Sequence, residues 1–389
     1  MTKKWSSRLT FFAFVVLMVG LGSNDSLRGI FSTIFQEHFS LTTTQLGLIV
    51  TASYIGNLVF LLVGGNLSTR FSKKRVLQVL ILIWMVALAL FAFTSNYTVL
   101  LIGMALALGS STLLNTTMNL ITPLLFATAP GFFVNFLFFT QEIGTSGSQY
   151  ILGSHANGFA FWQHTNLVLL ILGAVAFVLL LFCNVPEEAA DPADTPAQKG
   201  GYDWRIIVPY VLVFGFYFIA EHGVMNWMVA YGVDGLGLPQ ASAAKYLSVF
   251  FGGMMIGRLC LSPLVDKLGA LKSLAAFGGV SCVLYLIGSL GGAVTMPVWA
   301  ISGLSFSILY PTLVMSIRLY FPAQQVSGAA GTILSIASLA DILFNVGFGK
   351  LVDMAGYAVS IRVLPLSVLA FFIVFMLFTK FCKPTQKLK

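Results

Sequence analysis

Twelve times along this chain, a run of mostly apolar residues reaches the length that crosses a bilayer. About 20 residues, rising 1.5 Å each, span the ~30 Å hydrocarbon core. The runs fall at roughly 9–35, 44–67, 75–94, 98–125, 132–153, 165–184, 205–232, 244–264, 273–291, 296–320, 327–349 and 360–381. In hydrocarbon every backbone polar group needs an internal partner, so runs of this length and spacing are helices. The expected fold class is an all-α membrane protein with twelve transmembrane helices. Composition agrees: 58% of residues are hydrophobic and 9% charged, against roughly a quarter charged in a soluble protein.

The first run carries charge. Gly22–Gly29 reads Gly-Ser-Asn-Asp-Ser-Leu-Arg-Gly and interrupts an otherwise apolar stretch. Asp25 and Arg28 are three apart, so they share a helix face on which they can pair. A charge at the bilayer centre costs roughly 2.5–3.5 kcal/mol on insertion scales. A helix with two such groups needs other helices, or a water-filled cavity, beside it.

The other basic residues set the orientation. Sixteen of the 21 Lys and Arg lie at the N-terminus, after spans 2 and 8, in the central linker, at the end of span 10 and at the C-terminus. All of these are on one side if the chain crosses twelve times. The positive-inside rule puts that side, and both termini, in the cytoplasm. The net charge of +8 is therefore an orientation signal and not a nucleic-acid footprint. Lys3, Lys4 and Arg8 precede the first run as in a signal peptide, but the run exceeds a 7–15-residue signal core and is expected to remain as helix 1. The hydrophilic stretch 186–204 divides the chain into a six-helix half at 1–185 and another at 205–389. The four cysteines are scattered in or beside apolar runs, with no spacing for zinc, a redox pair or a disulfide frame. No metal motif, nucleophile elbow or cofactor fingerprint is present, so no cofactor, no metal and no enzymatic activity are expected.

The halves repeat. After span 2 the chain reads Gly65-Asn-Leu-Ser-Thr-Arg-Phe-Ser-Lys-Lys-Arg75, and after span 8 it reads Ser262-Pro-Leu-Val-Asp-Lys-Leu-Gly-Ala-Leu-Lys272. Both resemble the signature loop of the major facilitator superfamily. The second keeps Asp266, Lys267 and Gly269; the first has Thr69 and Ser72 where the family has Asp and Gly. Further segments resemble the fucose:proton symporter family in order and spacing. They are Phe35-Gln36, Gln45-Leu-Gly-Leu-Ile, Tyr54-Ile-Gly56, Leu114-Asn-Thr-Thr-Met-Asn119, Ala220-Glu-His-Gly-Val-Met-Asn-Trp-Met-Val-Ala-Tyr231, Ile256-Gly-Arg258 and Tyr310-Pro-Thr312. The resemblance implies the major facilitator fold, alternating access, a substrate site at the midplane between the halves, a sugar-type substrate and proton symport. The family's acids do not carry over in register: its helix-1 acid falls on Gly29, its helix-4 acid on Asn115 and its helix-5 glutamine on Phe138.

Four acids lie at membrane depth: Asp25, Glu142, Glu221 and Asp341. Intramembrane acids are functional candidates by default, and these four are the proton-coupling candidates, with Arg28 and Arg258 as counter-ions. The structural alternative is an Asp25–Arg28 ion pair, or acids that only bond neighbouring helices. Sugar hydroxyls require amides, hydroxyls and an aromatic face. The candidates are Tyr54, Asn57, Asn115, Asn119, Gln141, Asn226, Trp227, Tyr231 and Tyr310. The alternative is that such amides bond helix to helix and that Trp227 and Tyr231 mark an interface belt.

The expected protein is thus a secondary active transporter of a small polar solute, a monosaccharide by resemblance, coupled to a proton or to sodium. It is multi-pass in the plasma (cytoplasmic, or inner) membrane, monomeric, with the lipid bilayer as its surroundings and no nucleic-acid partner. Export of hydrophobic drugs or lipids, favoured by Phe132, Phe133, Phe136, Phe138 and Phe139, uncoupled facilitation, and a non-transporting membrane sensor are the alternatives.

Overall fold

The computed structural model describes the backbone of residues 3–126, 130–183, 185–186 and 203–384. Within these, the side chains of 3–6, 63–70, 130–132, 135, 266, 323–324, 327 and 341 lie outside the described set. Most of the 186–204 linker, and the Thr69 and Asp266 side chains of the two basic loops, therefore fall outside the description. The chain divides into two compact units, Met1–Asp191 and Pro192–Lys389.

The first unit holds α1 (Lys3–Ile30), α2 (Ser32–Phe39), α3 (Thr43–Arg70), α4 (Lys73–Phe93), α5 (Tyr97–Leu125), α6 (Pro130–His155) and α7 (Phe159–Phe182). The polar stretch Gly22–Gly29 does not break α1, which runs through it. The break falls later, at Phe31, whose ψ of 9° separates α1 from the short α2. In hydrocarbon the intrahelical ladder satisfies the backbone even where side chains are polar, so the stretch changes what the helix carries and leaves its course intact. Helix starts follow local capping chemistry. Ser72 accepts from the Arg75 N–H at 3.4 Å, and Asn96 accepts from Thr98 and Val99 at 2.9 and 3.2 Å. Lys74, in the first basic loop, donates to the carbonyls of Leu181 at 3.0 Å and Cys183 at 2.7 Å. It thereby supplies donors and positive charge where α7 leaves its last carbonyls open.

The second unit holds α8 (Trp204–Ala230), continued by a π-turn at Tyr231–Gly235, then α9 (Gln240–Leu268), α10 (Ala270–Leu290), α11 (Met296–Ile301), α12 (Gly303–Phe306), α13 (Leu309–Ser316), α14 (Ala323–Ala355), α15 (Tyr357–Ser360) and α16 (Val363–Phe381). Gly269, retained from the signature loop, takes φ +81° at the junction of α9 and α10, a conformation that favours glycine. At the matching place in the first unit Ser72 has φ −58° and caps α4 instead. The expected single span 296–320 is built from three short helices. Pro311 has no N–H to offer the carbonyl one turn back. Ser302 and Ser307 donate to the Trp299 and Leu304 carbonyls at 2.5 and 2.7 Å, competing with the backbone ladder.

Among the described residues, 11 helices are long and apolar enough to cross a membrane. The remaining long helix is α6, which carries Gln141, Glu142 and Gln149. The two units share one neighbour plan. In the first, α1 packs on α6, α3 on α5 and α4 on α7; in the second, α8 packs on α14, α9 on α12 and α10 on α16. Counted by span these are pairs 1–5, 2–4 and 3–6, then 7–11, 8–10 and 9–12: the same arrangement six spans on. Outward faces are apolar stripes at helical spacing, such as Val168, Ile171, Val175 and Val178 on α7. This is the pattern of a helix facing lipid.

Candidate functional site

In the first unit the site is built on the crossing of α1 and α6. Gly22 lies against the Gln141 carbonyl and Gly144 against the Val19 carbonyl, so close that a Cβ at either would overlap backbone. Hydroxyls fasten the crossing: Thr145 donates to the Gly22 carbonyl and Ser23 to the Gly144 carbonyl, each at 3.3 Å. Small residues let two helices approach within bonding range, and hydroxyls then act across the gap.

Gln141 begins a row of amides. The Asn115 amide donates to Gln141 Oε1 at 2.6 Å, and the Asn119 amide to Asn115 Oδ1 at 2.6 Å. Asn119 Oδ1 is buried with no hydrogen-bond partner. Ser111, Asn115 and Asn119 recur every four residues, so they line one face of α5 over ~12 Å. Ser111 donates to Asp25 Oδ2 at 3.1 Å, and Asn24 to Asp25 Oδ1 at 3.4 Å. The same face thus joins the acid of α1 to the amide row. Arg28 is 4% exposed, and its guanidinium sits 5.8 Å from the centre of the Tyr54 ring on α3. Asn57, one turn from Tyr54, has its Oδ1 buried without a partner. Asp25, Asn57, Asn115, Asn119, Gln141 and Glu142 are all half-buried. The chemistry of this face is one carboxylate, one arginine and a line of amides at membrane depth, with acceptors turned inward and unmet.

In the second unit Glu221 lies among tyrosines. It acts electrostatically on Tyr217 of α8, Tyr285 of α10 and Tyr310 of α13, and Arg258 of α9 acts on Tyr217 and Tyr310. Tyr217 and Tyr310 stack at 5.9 Å. The indole of Trp227 donates to Asn345 Oδ1 of α14 at 2.9 Å, and both residues are fully enclosed. Asn226 is 2% exposed. Tyr231 packs its ring 6.2 Å from Trp299 and 6.5 Å from Tyr357. Trp227 is thus held inside the unit by a bond between helices, and Tyr231 by ring packing. The Asp341 side chain lies outside the described residues, as does that of Phe132. Phe133 stacks on Phe126 at 3.8 Å and meets Phe11 at 5.2 Å.

Removing one partner of a buried hydrogen bond costs roughly 1–3 kcal/mol, because the other loses its donor without regaining water. Trp227→Phe is accordingly expected to lower the thermal midpoint of the purified protein. The Trp227→Phe/Asn345→Leu double variant should lose less than the summed losses of the two single variants. If the two losses simply added, the bond would not be what couples these residues.

Two features escape the sequence. Ser111 was legible in principle, four before Asn115 and eight before Asn119. Gln149, inside the run 132–153, is fully buried on α6 with both amide atoms unpartnered, and no local pattern in the sequence marks that lack of partners.

Two units that repeat one neighbour plan, each with charged and amide side chains at membrane depth, have the layout of membrane transporters built from parallel repeats. The chain belongs to the Major Facilitator Superfamily, whose family profile matches residues 10–344. It is similar to the L-fucose-proton symporter of Escherichia coli (strain K12), 24% identical over 333 residues, covering 74% of this chain and 75% of that protein. It is also similar to the glucose/galactose transporter of Brucella abortus biovar 1 (strain 9-941), 28% identical over 342 residues, covering 82% and 81%. Among solved structures, a D-xylose-proton symporter superposes with a TM-score of 0.78 at 16% identity, covering 97% of this chain and 98% of that one; at that identity the likeness is one of fold.

Proposed function

We propose that the chain is a proton-coupled symporter of monosaccharides, working by alternating access in the plasma membrane with both termini cytoplasmic. The observation that carries the reading is the amide row on α5 and α6. Asn119, Asn115 and Gln141 are tied head to tail, and the row ends in an Asn119 Oδ1 without a donor. Buried acceptors of this kind are met by groups that donate, and the hydroxyls of a sugar do so. Lipid tails offer no donors, so a half-buried amide row at membrane depth fits a wet, substrate-accessible face better than a lipid-facing one. Asp25 adjoins the row through Ser111 and is the proton-exchanging group in this reading. The relatives that transport fucose, glucose and galactose support the substrate class, and the fucose relative supports the proton.

The test is counterflow in proteoliposomes, with labelled monosaccharides, nucleosides and amino acids as the panel. Exchange of a monosaccharide supports the reading whatever the coupling. Exchange confined to nucleosides or amino acids would replace the sugar with that class, and binding of amphipathic compounds with no flux of any panel member would replace the reading with export of apolar compounds.

A further inference from the structure

We infer that the monosaccharide carries a carboxylate, as a hexuronate or an aldonate does, and that Arg28 is the group that takes it; this rests on the sugar reading above. Arg28 is enclosed to 4% exposure, yet its Nε has no hydrogen-bond partner. Its guanidinium faces the Tyr54 ring, an attraction that uses none of its five N–H donors. Asp25, three residues earlier, is close enough to act on it electrostatically. Both Asp25 oxygens, however, already accept from Ser111 and Asn24. An arginine whose work was to neutralise Asp25 would be expected to hold those oxygens itself. Its planar fork matches a carboxylate in a bidentate way. On the helix packed against α1, Gln149 is buried with neither amide atom partnered, so the α1–α6 pair holds a second polar group in want of a partner.

The amides and Arg28 divide the substrate between them. The Asn57 Oδ1, buried without a partner one turn from Tyr54 on α3, suits a hydroxyl, and Arg28 suits the acid. The other titratable or charged side chains on the elements packed around Asp25 are few. Among the described side chains they are Tyr54 on α3, Glu37 and His38 on α2, Glu142, Tyr150 and His155 on α6, Tyr97 at the start of α5, and the exposed His164 on α7. No second described cation shares this depth on these helices. A carboxylate on Arg28 repels negative charge on Asp25, so the anion and a proton enter together. The proton bonds to an Asp25 oxygen, the carboxylate pairs with Arg28, and both leave on the opposite side. One negative and one positive charge move per cycle, so transport is electroneutral, whereas a neutral sugar moving with a proton carries net charge.

Counterflow with labelled D-glucuronate, D-galacturonate and D-gluconate, beside D-glucose, D-galactose and L-fucose, tests this. An acidic member should exchange at least about ten-fold faster than its neutral parent, since a site built around a polar group rejects the analogue lacking it. A pH gradient should drive its uptake, and a potassium–valinomycin potential should not change the rate. Arg28→Gln should erase the margin over the neutral parent, and Arg28→Lys should keep part of it. If either variant does not fold, as read by its thermal melt, the wild-type panel and the potential measurement decide alone. Neutral sugars exchanging as fast as their acids, or uptake that follows the potential, would overturn the inference and leave the sugar reading standing. No flux of any sugar through folded protein would end both.

Discussion

Asp25→Asn is expected to abolish pH-driven accumulation while counterflow persists. The amide is close in size to the carboxylate and keeps an acceptor oxygen for Ser111, which now donates at 3.1 Å. The substitution therefore removes the proton site with little disturbance to the α1–α5 contact. Accumulation ratios should fall at least about ten-fold, the ratio that roughly 1.4 kcal/mol of coupling sustains. Counterflow, which needs no proton gradient, should stay within about ten-fold, since losing a neutral hydrogen bond costs only ~0.5–1.5 kcal/mol. The discriminating readout is the difference between the two assays on the same vesicles. A variant that still concentrates substrate against a gradient would move the proton to Glu142 or Glu221. Loss of both assays together, with a lowered melt, would show Asp25 to be a structural residue.

Gly144→Ala is expected to be far more damaging than the same change three residues on. A Cβ at Gly144 overlaps the Val19 carbonyl and closes to 3.0 Å on the Ser23 nitrogen, and both are backbone. Backbone in a packed helix cannot turn aside as a side chain can. The helices must part, taking the Ser23–Gly144 and Thr145–Gly22 bonds with them. Overpacking typically costs 1–3 kcal/mol, and each lost bond about 1 kcal/mol more. At Gly147, on the same helix, a Cβ meets nothing within 4 Å. There alanine should be neutral or stabilise by up to ~1 kcal/mol through helix propensity. Thermal melts of the two variants in one detergent check the sign. Equal melting would mean that α1 and α6 do not depend on close approach, and the geometry that delivers Gln141 to Asn115 would lose its cause.

The sequence by itself determined the fold class. Helices in a bilayer are dictated by a one-dimensional property, the length of an apolar run, because lipid leaves the backbone no other partner. The twelve runs and the signature loops were legible for the same reason: each is local. Asp25 and Arg28 were visible as charges in an apolar run, and Asn115 with Asn119 as a shared face. The polar stretch left α1 helical, as the shared face of Asp25 and Arg28 requires. Local chemistry overrode run length elsewhere: α1 ends at Phe31 inside the run 9–35, and serines with Pro311 divide the span at 296–320.

Only the tertiary structure decided what these groups do to one another. That Asn115 bonds Gln141 depends on where α5 passes α6, which depends in turn on two glycines removing Cβ atoms from the α1–α6 crossing. Trp227 and Asn226 read alike in sequence as groups on one helix. The position of Asn345 on α14 made Trp227 part of a buried bond between helices. Arg28 was expected beside Asp25 from i,i+3 spacing alone. The structure instead gives both Asp25 oxygens to Ser111 and Asn24 and turns Arg28 toward Tyr54. Hydrogen-bond partners across helices are separated by 24 to 123 residues here, and no local pattern specifies them; close packing of neighbouring helices does.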